Sequence, residues 1–469
     1  MPSGYVSPLS PLLLAALILT AWEMAGRGLR ALRGNRPRIS RLAVGVSALA
    51  LPIAFAGQLL LLQYQSGHDG PRPDWVGYAP LLVAYPGVQL GPLHPAFSLG
   101  ALILAIVQTA ALAGFVAALL QHDEIANDPA RRLARTLTPY VAGVLGLLAL
   151  WSPAVSSSDI FGYVGLGMLG PHPFDRPEHF FSGEFAHFFD ARPVAPTIYG
   201  PLWTAVNAAV VAPGSSFFAK VMLLRVEGFL SFAVLSALVH RVTKSSPLTA
   251  AVLLNPFLWY QFVTNAHNDI LGIVLLVGAV ALTSRGRAAI AVPVVAAAGL
   301  VKFPLLLVGA VVFAREGPRR AVAYALSAIV LCLVCSAVFG GKAYVDALLV
   351  TGQLTADTSP LFKDLKLAIA LCSVVLTAFV LLRGRFPGFG GFVYPAIAPI
   401  FFPWYLAWAL PYALAARRGA LATALALPVL GVLGDGLYGF HGFTLVIPLA
   451  ALAWVVWSAL PRPTLRAVR

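Results

Sequence analysis

One carboxylate in the sequence has the surroundings of a catalytic group. Asp159 follows three serines, Ser156 to Ser158, just beyond the end of an apolar stretch, and it precedes aromatic residues up to Tyr163. A carboxylate in such a place is half-buried yet reachable from water, the setting in which a general base can be tuned. The alternative is that Ser158 or Asp159 caps a short helix running through Gly167. The two roles are not exclusive.

A second polar cluster lies between two apolar stretches, at residues 265–269, which read Asn-Ala-His-Asn-Asp. Asp269 has the position of a helix cap, because a long apolar stretch follows it. A cap alone would not require the neighbouring His267 and Asn268. We therefore predict that all three side chains belong to a substrate-binding site.

Two basic residues lie within or beside apolar stretches. Arg225 lies one to two turns inside such a stretch, close to Lys220 and Glu227, and Lys302 precedes a Phe-Pro pair. Charges inside a membrane are costly and mark functional sites by default. Arg225 could instead snorkel outward or pair with an acid. Because a cation at the membrane surface suits the phosphate of a lipid-linked substrate, we predict phosphate binding by Lys302 and Arg225.

Aromatic residues accompany these polar groups. Tyr163 and Tyr199 lie in the segment that follows the carboxylate, and Trp404 and Tyr405 follow a proline far along the chain. We predict that all four bind substrate, although an interfacial aromatic belt explains the last pair equally well. A carboxylate, cations and aromatics together indicate group transfer from a lipid phosphate, with the carboxylate deprotonating an acceptor hydroxyl.

The composition requires that a membrane surrounds the elements that position these residues. Of the 469 residues, 59% are hydrophobic and 11% are charged, and the mean hydropathy is +0.83. Soluble proteins carry about 25% charged residues, so this chain cannot cover a water-facing surface of normal polarity. We predict an all-α, polytopic transmembrane protein with an outer-face catalytic loop.

Apolar stretches of about 20 residues, the length that crosses a bilayer as a helix, recur along the chain. Two longer stretches, 288–314 and 388–416, have Pro304 and Pro403 near their middle. Because proline breaks the helical hydrogen-bond ladder, we predict that each is a hairpin of two helices, which gives about 13–15 crossings in all. The simple spans are predicted near residues 8–26, 42–63, 97–120, 136–155, 217–240, 247–264, 267–284, 320–339, 367–383, 420–438 and 442–459.

Charge sets the predicted orientation. The connections between alternate spans, together with the C-terminal tail, hold 23 of the 32 basic residues, which the positive-inside rule assigns to the cytoplasm. The N-terminus is then outside, the C-terminus is cytoplasmic, and the site residues lie at the outer face. The net charge of +14 is therefore a topology signal. Nucleic acid is not an expected partner, because the basic residues form no patch.

The chain is predicted to form one membrane domain, 1–469, without convincing internal repeats. Its segment 156–216 is the predicted catalytic loop, with short helices along the outer interface. His172, His179 and His187 in this loop could bind a metal together with nearby acids, but their spacing matches no standard zinc or calcium frame. We expect no resident cofactor, and a divalent metal is compatible with the sequence without being required by it.

A set of motifs over residues 136–416 occurs in the order of a known superfamily. The motifs are Ser158–Tyr163, Pro173–Phe174, Tyr199–Trp203, Arg225, His267–Asp269, Val301–Pro304 and Pro403–Trp408. In them the chain resembles the GT-C membrane glycosyltransferases, which use polyprenyl-phosphate sugars as donors. Within that superfamily it resembles the bacterial polyprenyl-phosphomannose-dependent α-1,6-mannosyltransferases. One departure is the Asn-Ala pair at 265–266, where that family often has Gly-Gly.

The resemblance implies a reaction and residue roles. It implies transfer of a sugar, expected to be mannose, from a polyprenyl phosphate to a glycan or glycolipid acceptor, with inversion at the anomeric carbon and Asp159 as general base. Lys302 and Arg225 would stabilise the phosphate leaving group, and His267 with Asp269 would hold donor or acceptor. The implied location is a bacterial inner membrane, with membrane lipids as the remaining partners. No metal is obligatory, because the leaving group is already a stabilised phosphate.

Two other classes of protein remain open at this point. Broken hairpins and buried charges also fit a transporter or flippase for a lipid-linked or anionic substrate. Such transporters place their polar site near the middle of the membrane and often contain inverted repeats, whereas these polar residues are predicted at one face. An enzyme that joins a lipid-linked polymer to an acceptor is the third possibility, but its outer loops are commonly rich in arginine and these are acidic.

Overall fold

A computed structural model describes most of the chain. The described residues are 40–66, 95–120, 128–152, 159–171, 173–175, 197–353, 360–398, 402–438 and 446–459. Within these ranges the secondary structure is helical throughout, so the prediction of an all-α fold is confirmed. The predicted span 8–26, the serines before Asp159 and the histidine-rich part of the outer loop lie outside the described residues.

The helices are numbered here in chain order. They are α1 Arg41–Ser66, α2 Pro95–Leu120, α3 Pro129–Trp151, α4 Asp159–Met168, α5 Pro201–Val211, α6 Phe217–Thr243, α7 Ser246–Leu253, α8 Pro256–Trp259, α9 Asp269–Thr283, α10 Ala288–Val301, α11 Leu305–Ala310, α12 Pro318–Gln353, α13 Pro360–Arg383, α14 Ala409–Ala416, α15 Ala420–Tyr438 and α16 Val446–Ala459. A π-helical turn, Tyr260–Thr264, follows α8, and 3₁₀ turns cover Pro173–Asp175, Val311–Phe313, Gly390–Ile397 and Pro403–Trp408.

Six of the described helices are long and apolar enough to cross a membrane, which confirms the prediction of a multi-pass membrane protein. They present leucine, valine and isoleucine side chains outward, for example Val338 and Ile53, which are 70% and 68% exposed. The six segments are Arg41–Leu61, Gly100–Leu120, Pro129–Trp151, Phe217–Thr243, Pro318–Leu348 and Asp364–Arg383. The predicted total of about 13–15 crossings stays a prediction, since shorter apolar helices accompany these six.

The predicted span 247–264 is wrong as a single helix. The segment instead consists of α7, α8 and the π-helical turn, with an interruption at Asn255. Pro256 has no N–H to donate, and the Asn255 side chain accepts hydrogen bonds from the backbone N–H groups of Phe257 and Leu258, which starts a new helix. The chain therefore reaches the polar cluster at 265–269 through a tightly turned segment.

The first predicted hairpin is confirmed at its tip, and in the second the break before Pro403 is found but the described part of the first arm is 3₁₀ and not α-helical. In the first, α10 ends at Val301, Lys302 is extended, and α11 begins after Pro304. In the second, 3₁₀ turns occupy both 390–397 and 403–408, and only α14 is α-helical. Pro395 and Pro403 lie inside or at the start of these turns, so the α-helical ladder cannot continue through either one.

Two glycines let backbones approach closely beside the site. A Cβ atom on Gly200 would lie 2.0 Å from the carbonyl oxygen of Leu300, and the Gly200 N–H donates to the Val301 carbonyl at 3.1 Å. A Cβ atom on Gly228 would lie 2.1 Å from the carbonyl oxygen of Phe262. The first contact fixes the chain at Tyr199 against the end of α10, and the second packs α6 on the π-helical turn.

A small apolar core lies under the site. It joins α4 and α5 to the first turns of α6. Ala266 and Val301, which lie next to the polar residues of the site, complete it. Tyr163 and Trp203 are edge-to-face at 5.3 Å within it, and both are almost completely buried. This core packs the first turns of α4 and thereby helps to position Asp159, the first residue of that helix.

We expect Gly228→Ala to destabilise the fold strongly, since the added methyl group overlaps the Phe262 carbonyl and backbone must move to admit it. Gly278→Ala is the matched control, because a Cβ atom there meets nothing within 4 Å. Thermal melting and monodispersity of both purified variants in detergent measure the effect. Equal melting temperatures for the two variants would show that this close approach is not required.

Candidate active site

Asp159 is the first residue of α4, and three side chains from other parts of the site converge on it. Its Oδ2 lies 3.4 Å from Nδ1 of His267, 3.4 Å from the hydroxyl of Tyr163 and 3.5 Å from the hydroxyl of Tyr199. The last two are long hydrogen bonds. The Asp159 side chain keeps 27% of its surface exposed. The predicted base is thus held by neighbours and remains accessible from one side.

His267 is fully buried and lies flat against an aromatic stack. Its ring is 3.7 Å from that of Trp404 with an angle of 16°, and Trp404 in turn stacks on Phe402 at 4.4 Å and 10°. The stack fixes the plane of the imidazole ring, and in this orientation Nδ1 faces Asp159. The aromatic tip at 402–405 therefore orients a polar group inside the protein.

Asp269 is fully buried and forms the second acidic centre. Its Oδ2 accepts a hydrogen bond from Nζ of Lys302 at 2.9 Å, and its Oδ1 accepts one from Nε1 of Trp408 at 2.7 Å. The residue capping α9 is Asn268, which makes no side-chain capping hydrogen bond. The alternative of Asp269 as a cap is therefore wrong, because its two oxygens are directed at a cation and an indole.

Lys302 is 5% exposed, and aromatic rings surround its ammonium group. Nζ lies 4.3 Å from the ring centre of Tyr405, 5.6 Å from that of Tyr199 and 5.9 Å from that of Trp408. These distances allow cation–π attraction, which offsets part of the cost of burying the charge. Tyr199 thus contacts both centres, since its hydroxyl reaches Asp159 and its ring faces Lys302.

The charges of the site set the protonation of Asp159. Burial raises the pKa of its carboxyl group, but the hydrogen bond and charge of His267, the charge of Lys302 and the Tyr163 hydroxyl outweigh burial and lower the pKa below its usual range. Burial and the neighbouring acids raise the pKa of Tyr163 and Tyr199 well above the usual range. At neutral pH Asp159 is therefore an anion beside two neutral phenols, and the single Tyr163 hydroxyl proton is shared between Asp159 and Oδ1 of Asn268.

Arg225 lies elsewhere than predicted for a phosphate ligand. It is fully buried in α6, where Nε donates to the Thr264 carbonyl at 3.1 Å and Nη1 donates to the Leu150 carbonyl at 2.8 Å. The Thr264 hydroxyl extends this bridge by donating to the Ala149 carbonyl at 2.9 Å. Arg225 therefore joins the end of α3 to the π-helical turn, just before the 265–269 cluster.

The two other ionic groups predicted in this stretch have local partners. Nζ of Lys220 donates to the carbonyls of Val211 at 3.0 Å and Gly214 at 2.6 Å, so it satisfies the C-terminal end of α5. Glu227 accepts a hydrogen bond from Ser231, one turn further along α6, at 2.8 Å. Both side chains are therefore bonded to neighbours on or next to α6.

A strained residue sets the direction of the 265–269 cluster. Ala266 has φ +50°, in the left-handed region, which costs a non-glycine residue about 1–2 kcal/mol. The His267 N–H donates to the Gln261 carbonyl at 3.1 Å and closes this turn. The turn accounts for the Gly-Gly pair that the resembled family often has at the positions of Asn265 and Ala266, because glycine adopts this conformation without strain and alanine does not.

The structure brings together nine of the ten predicted site residues and separates Arg225 from them. Sequence reasoning missed Trp408, the second donor to Asp269, and Asn207, whose side chain donates to the Tyr163 carbonyl at 2.8 Å. Trp408 follows Trp404 by about one turn, so spacing was an available signal for it. Asn207 lies in an apolar helix, and nothing in its spacing points to the site.

Metal-binding side chain types do not cluster in the part of the chain that the structure describes. No group of three histidine, cysteine, aspartate or glutamate residues comes together there. Asp269 already binds an ammonium and an indole N–H, which leaves Asp159 and His267 as two potential ligands. Three histidines of the outer loop that could bind a metal lie outside the described residues, namely His172, His179 and His187.

The fold and the site define a multi-pass membrane protein with a buried polar centre at one end of its helices. A family model for the N-terminal domain of alpha-(1→6)-mannopyranosyltransferases matches residues 77–315, just over half of the chain. The chain belongs to this family, so it transfers mannosyl groups from a sugar donor to an acceptor. No curated protein and no solved structure matches it.

The matched residues contain both acidic centres but not the whole site. Asp159, His267, Asp269 and Lys302 lie within 77–315. The aromatic residues that stack on the imidazole, surround the ammonium group and donate to the buried carboxylate lie at 402–408, beyond the end of the matched range. The last third of the chain therefore completes a site that the family model covers only in part.

We expect Ala266→Gly to leave folding and transfer nearly unchanged, because relief of strain and added freedom of the unfolded chain offset each other. Ala266→Val should lower both the melting temperature and the transfer rate, since a β-branched residue fits this conformation poorly. Lys244→Val is the matched control, as Lys244 has φ +53° at the opposite end of α6. If Lys244→Val lowered transfer per folded molecule as much as Ala266→Val, the turn would have no special role.

Proposed function

We propose that this protein is an inverting glycosyltransferase that moves mannose from a polyprenyl phosphate to a glycan or glycolipid acceptor at the outer face of a bacterial inner membrane. Asp159 is the general base. The acceptor oxygen attacks the anomeric carbon, the bond from that carbon to the phosphate oxygen breaks, polyprenyl phosphate leaves with the electron pair, and the acceptor proton passes to Asp159. The observation that supports this most directly is an accessible, ionised carboxylate beside a buried cation.

The contrast between the two carboxylates supports inversion. Asp269 is fully buried and binds two donors, whereas Asp159 is 27% exposed. A single accessible carboxylate suits direct displacement with base catalysis, whereas double displacement of the kind that retaining glycoside hydrolases use needs one carboxyl group as nucleophile and a second as acid and base. In this proposal Asp269 holds Lys302 and takes no part in proton transfer.

Lys302 is the proposed phosphate ligand, and Arg225 is not. An ammonium group has three N–H donors, and Asp269 occupies one of those of Lys302, so further donors remain for phosphate oxygens. Arg225 is held by backbone carbonyls, which suits a role in positioning the π-helical turn. His267, Asn268, Tyr163, Tyr199, Trp404 and Tyr405 form the proposed walls around the sugar and phosphate.

The distribution of charged residues over the helix ends supports an outer-face site. Asp159 begins α4, Asp269 begins α9 and Lys302 ends α10. The opposite ends carry arginines, namely Arg131 and Arg132 at the start of α3 and Arg241, Arg285 and Arg287 at the other connections. A site at the helix ends also favours transfer over the transporter alternative, for which a polar centre halfway along the helices is typical.

We expect Asp159→Asn to fold and to lose transfer by about 10²–10⁴-fold, the contribution of a general base. The measurement is release of polyprenyl phosphate from polyprenyl-phosphate mannose by purified protein. Asp346→Asn is the matched control, because Asp346 is half exposed and pairs only locally with Lys342 at 2.6 Å. Full activity of Asp159→Asn would remove this residue from the base role.

His267→Phe should move the acidic limb of the pH–rate profile to higher pH. Phenylalanine still stacks on Trp404, but it removes the group that does most to lower the pKa of Asp159. Since the base must be ionised, a higher pKa of Asp159 means that activity begins to fall at a higher pH. The check is transfer at saturating donor across the acid range. An unmoved limb would contradict the coupling of His267 to the base.

A further inference from the structure

Three N–H groups near His267 are buried and have no hydrogen-bond partner among the described residues. They are Nε2 of Gln261, Nδ2 of Asn268 and Nε1 of Trp404. The side chains of Gln261 and Asn268 are fully buried, and Trp404 is 4% exposed. Nε2 of His267 is buried and unpartnered in the same way. Roughly 90% or more of buried polar groups are paired in folded proteins, so four such atoms in one cluster are unusual.

These residues are in contact through one chain of interactions. The ring of His267 stacks on Trp404, and its backbone N–H donates to the Gln261 carbonyl. Asn268 follows His267, and its Oδ1 lies 3.2 Å from the hydroxyl of Tyr163, which also reaches Asp159. The unpartnered atoms therefore lie on His267 itself and on residues that bond to or stack on it or on Tyr163, and both of these contact Asp159.

Both carboxamides have a defined orientation. Oε1 of Gln261 faces Nδ2 of Asn265 at 3.3 Å, and Oδ1 of Asn268 accepts from Tyr163. Each amide oxygen is thus used inside the protein, and each NH₂ group is left as a donor. On His267, Nδ1 faces the carboxylate, and in a neutral ring that donates from Nδ1 the other nitrogen is an acceptor.

This mixture of groups identifies the chemistry of the ligand. A phosphate oxygen only accepts hydrogen bonds, so it can use the amide and indole donors but can pair with Nε2 of His267 only when the ring is charged. A sugar hydroxyl both accepts and donates, so it can pair with an amide donor and with an imidazole acceptor. The four groups carry no formal carboxylate or ammonium charge, in contrast to the Lys302 centre next to them, which suits a neutral sugar.

We propose that Gln261, with Asn268 and Trp404, binds hydroxyl oxygens of the sugar being transferred and thereby selects that sugar. This inference rests on the proposed function for the identity of the ligand. It adds Gln261 as a specificity-determining residue and divides the site into two parts. Lys302 binds the phosphate, and the Gln261 side of the site reads the hydroxyl pattern of the sugar.

The test combines protein variants with donors that lack single hydroxyls. Gln261→Met and Trp404→Phe remove one donor each while keeping bulk and stacking, and polyprenyl-phosphate mannose is compared with its 2-, 3-, 4- and 6-deoxy forms. Gln58→Met is the matched control, because Gln58 is a buried carboxamide between α1 and α2 that accepts from Gln108 at 2.7 Å. The measured quantity is kcat/KM for release of polyprenyl phosphate.

If Gln261 binds one hydroxyl of the sugar, removing that hydroxyl and replacing Gln261 should together reduce kcat/KM by less than the product of the two separate reductions. We expect wild type to lose about tenfold with one deoxy donor, Gln261→Met to lose about tenfold with the full donor, and the two changes together to lose little more than either alone. Gln58→Met should respond to every deoxy donor as wild type does. Losses that multiply at every position for both Gln261→Met and Trp404→Phe would overturn the proposal.

Thermal stabilisation by the same donors separates this inference from the proposed reaction. If wild type releases no polyprenyl phosphate but is still stabilised in a hydroxyl-dependent way that Gln261→Met abolishes, the reaction is wrong and the sugar site stands. If wild type transfers and Gln261→Met responds to every donor as wild type does, the reaction stands and the sugar site is wrong. If wild type neither transfers nor is stabilised, both fail.

Discussion

The buried ion pair between Lys302 and Asp269 is the interaction on which the site depends. Removing one partner of a buried pair typically costs about 3–5 kcal/mol, because the other charge is left without compensation. Here the pair joins the end of α10 to the start of α9. Trp408 donates a hydrogen bond to the second oxygen of the Asp269 carboxylate, and the ring of Tyr405 covers the ammonium group. The charge of Lys302 also lowers the pKa of Asp159. One costly interaction therefore assembles three segments and contributes to the ionised state of Asp159, the proposed base.

Backbone contacts of unusual closeness hold this pair in place. Gly200 lies against the Leu300 carbonyl, Gly228 lies against that of Phe262, and Arg225 joins two further carbonyls from inside the membrane. A guanidinium in a membrane is expensive unless its donors are used, and here two of its nitrogens bind backbone oxygens. Close backbone contacts thus position the segments around the site, and side chains complete it.

Much of the site could be predicted from the sequence, because charged residues in an apolar chain stand out. Asp159, Asp269 and Lys302 were found for that reason, and the break at Pro304 follows from proline chemistry. Roles were harder to predict than positions. Arg225 gives the same signal whether it binds phosphate or carbonyls, and the break at Asn255 is hidden in an apolar stretch. Gln261 and Asn207 are ordinary polar residues until the fold shows what surrounds them.

The positions of Trp404 and Trp408 bear on where a structural domain of this chain can end. The family model ends at residue 315, yet an indole from beyond that point binds Asp269 and another covers the face of His267. A chain ending there would leave a buried carboxylate with a single donor and an imidazole without its stack. The boundary of the N-terminal domain is therefore a boundary of sequence similarity and not of folding. Exchange of C-terminal portions between family members would carry part of the catalytic centre with it.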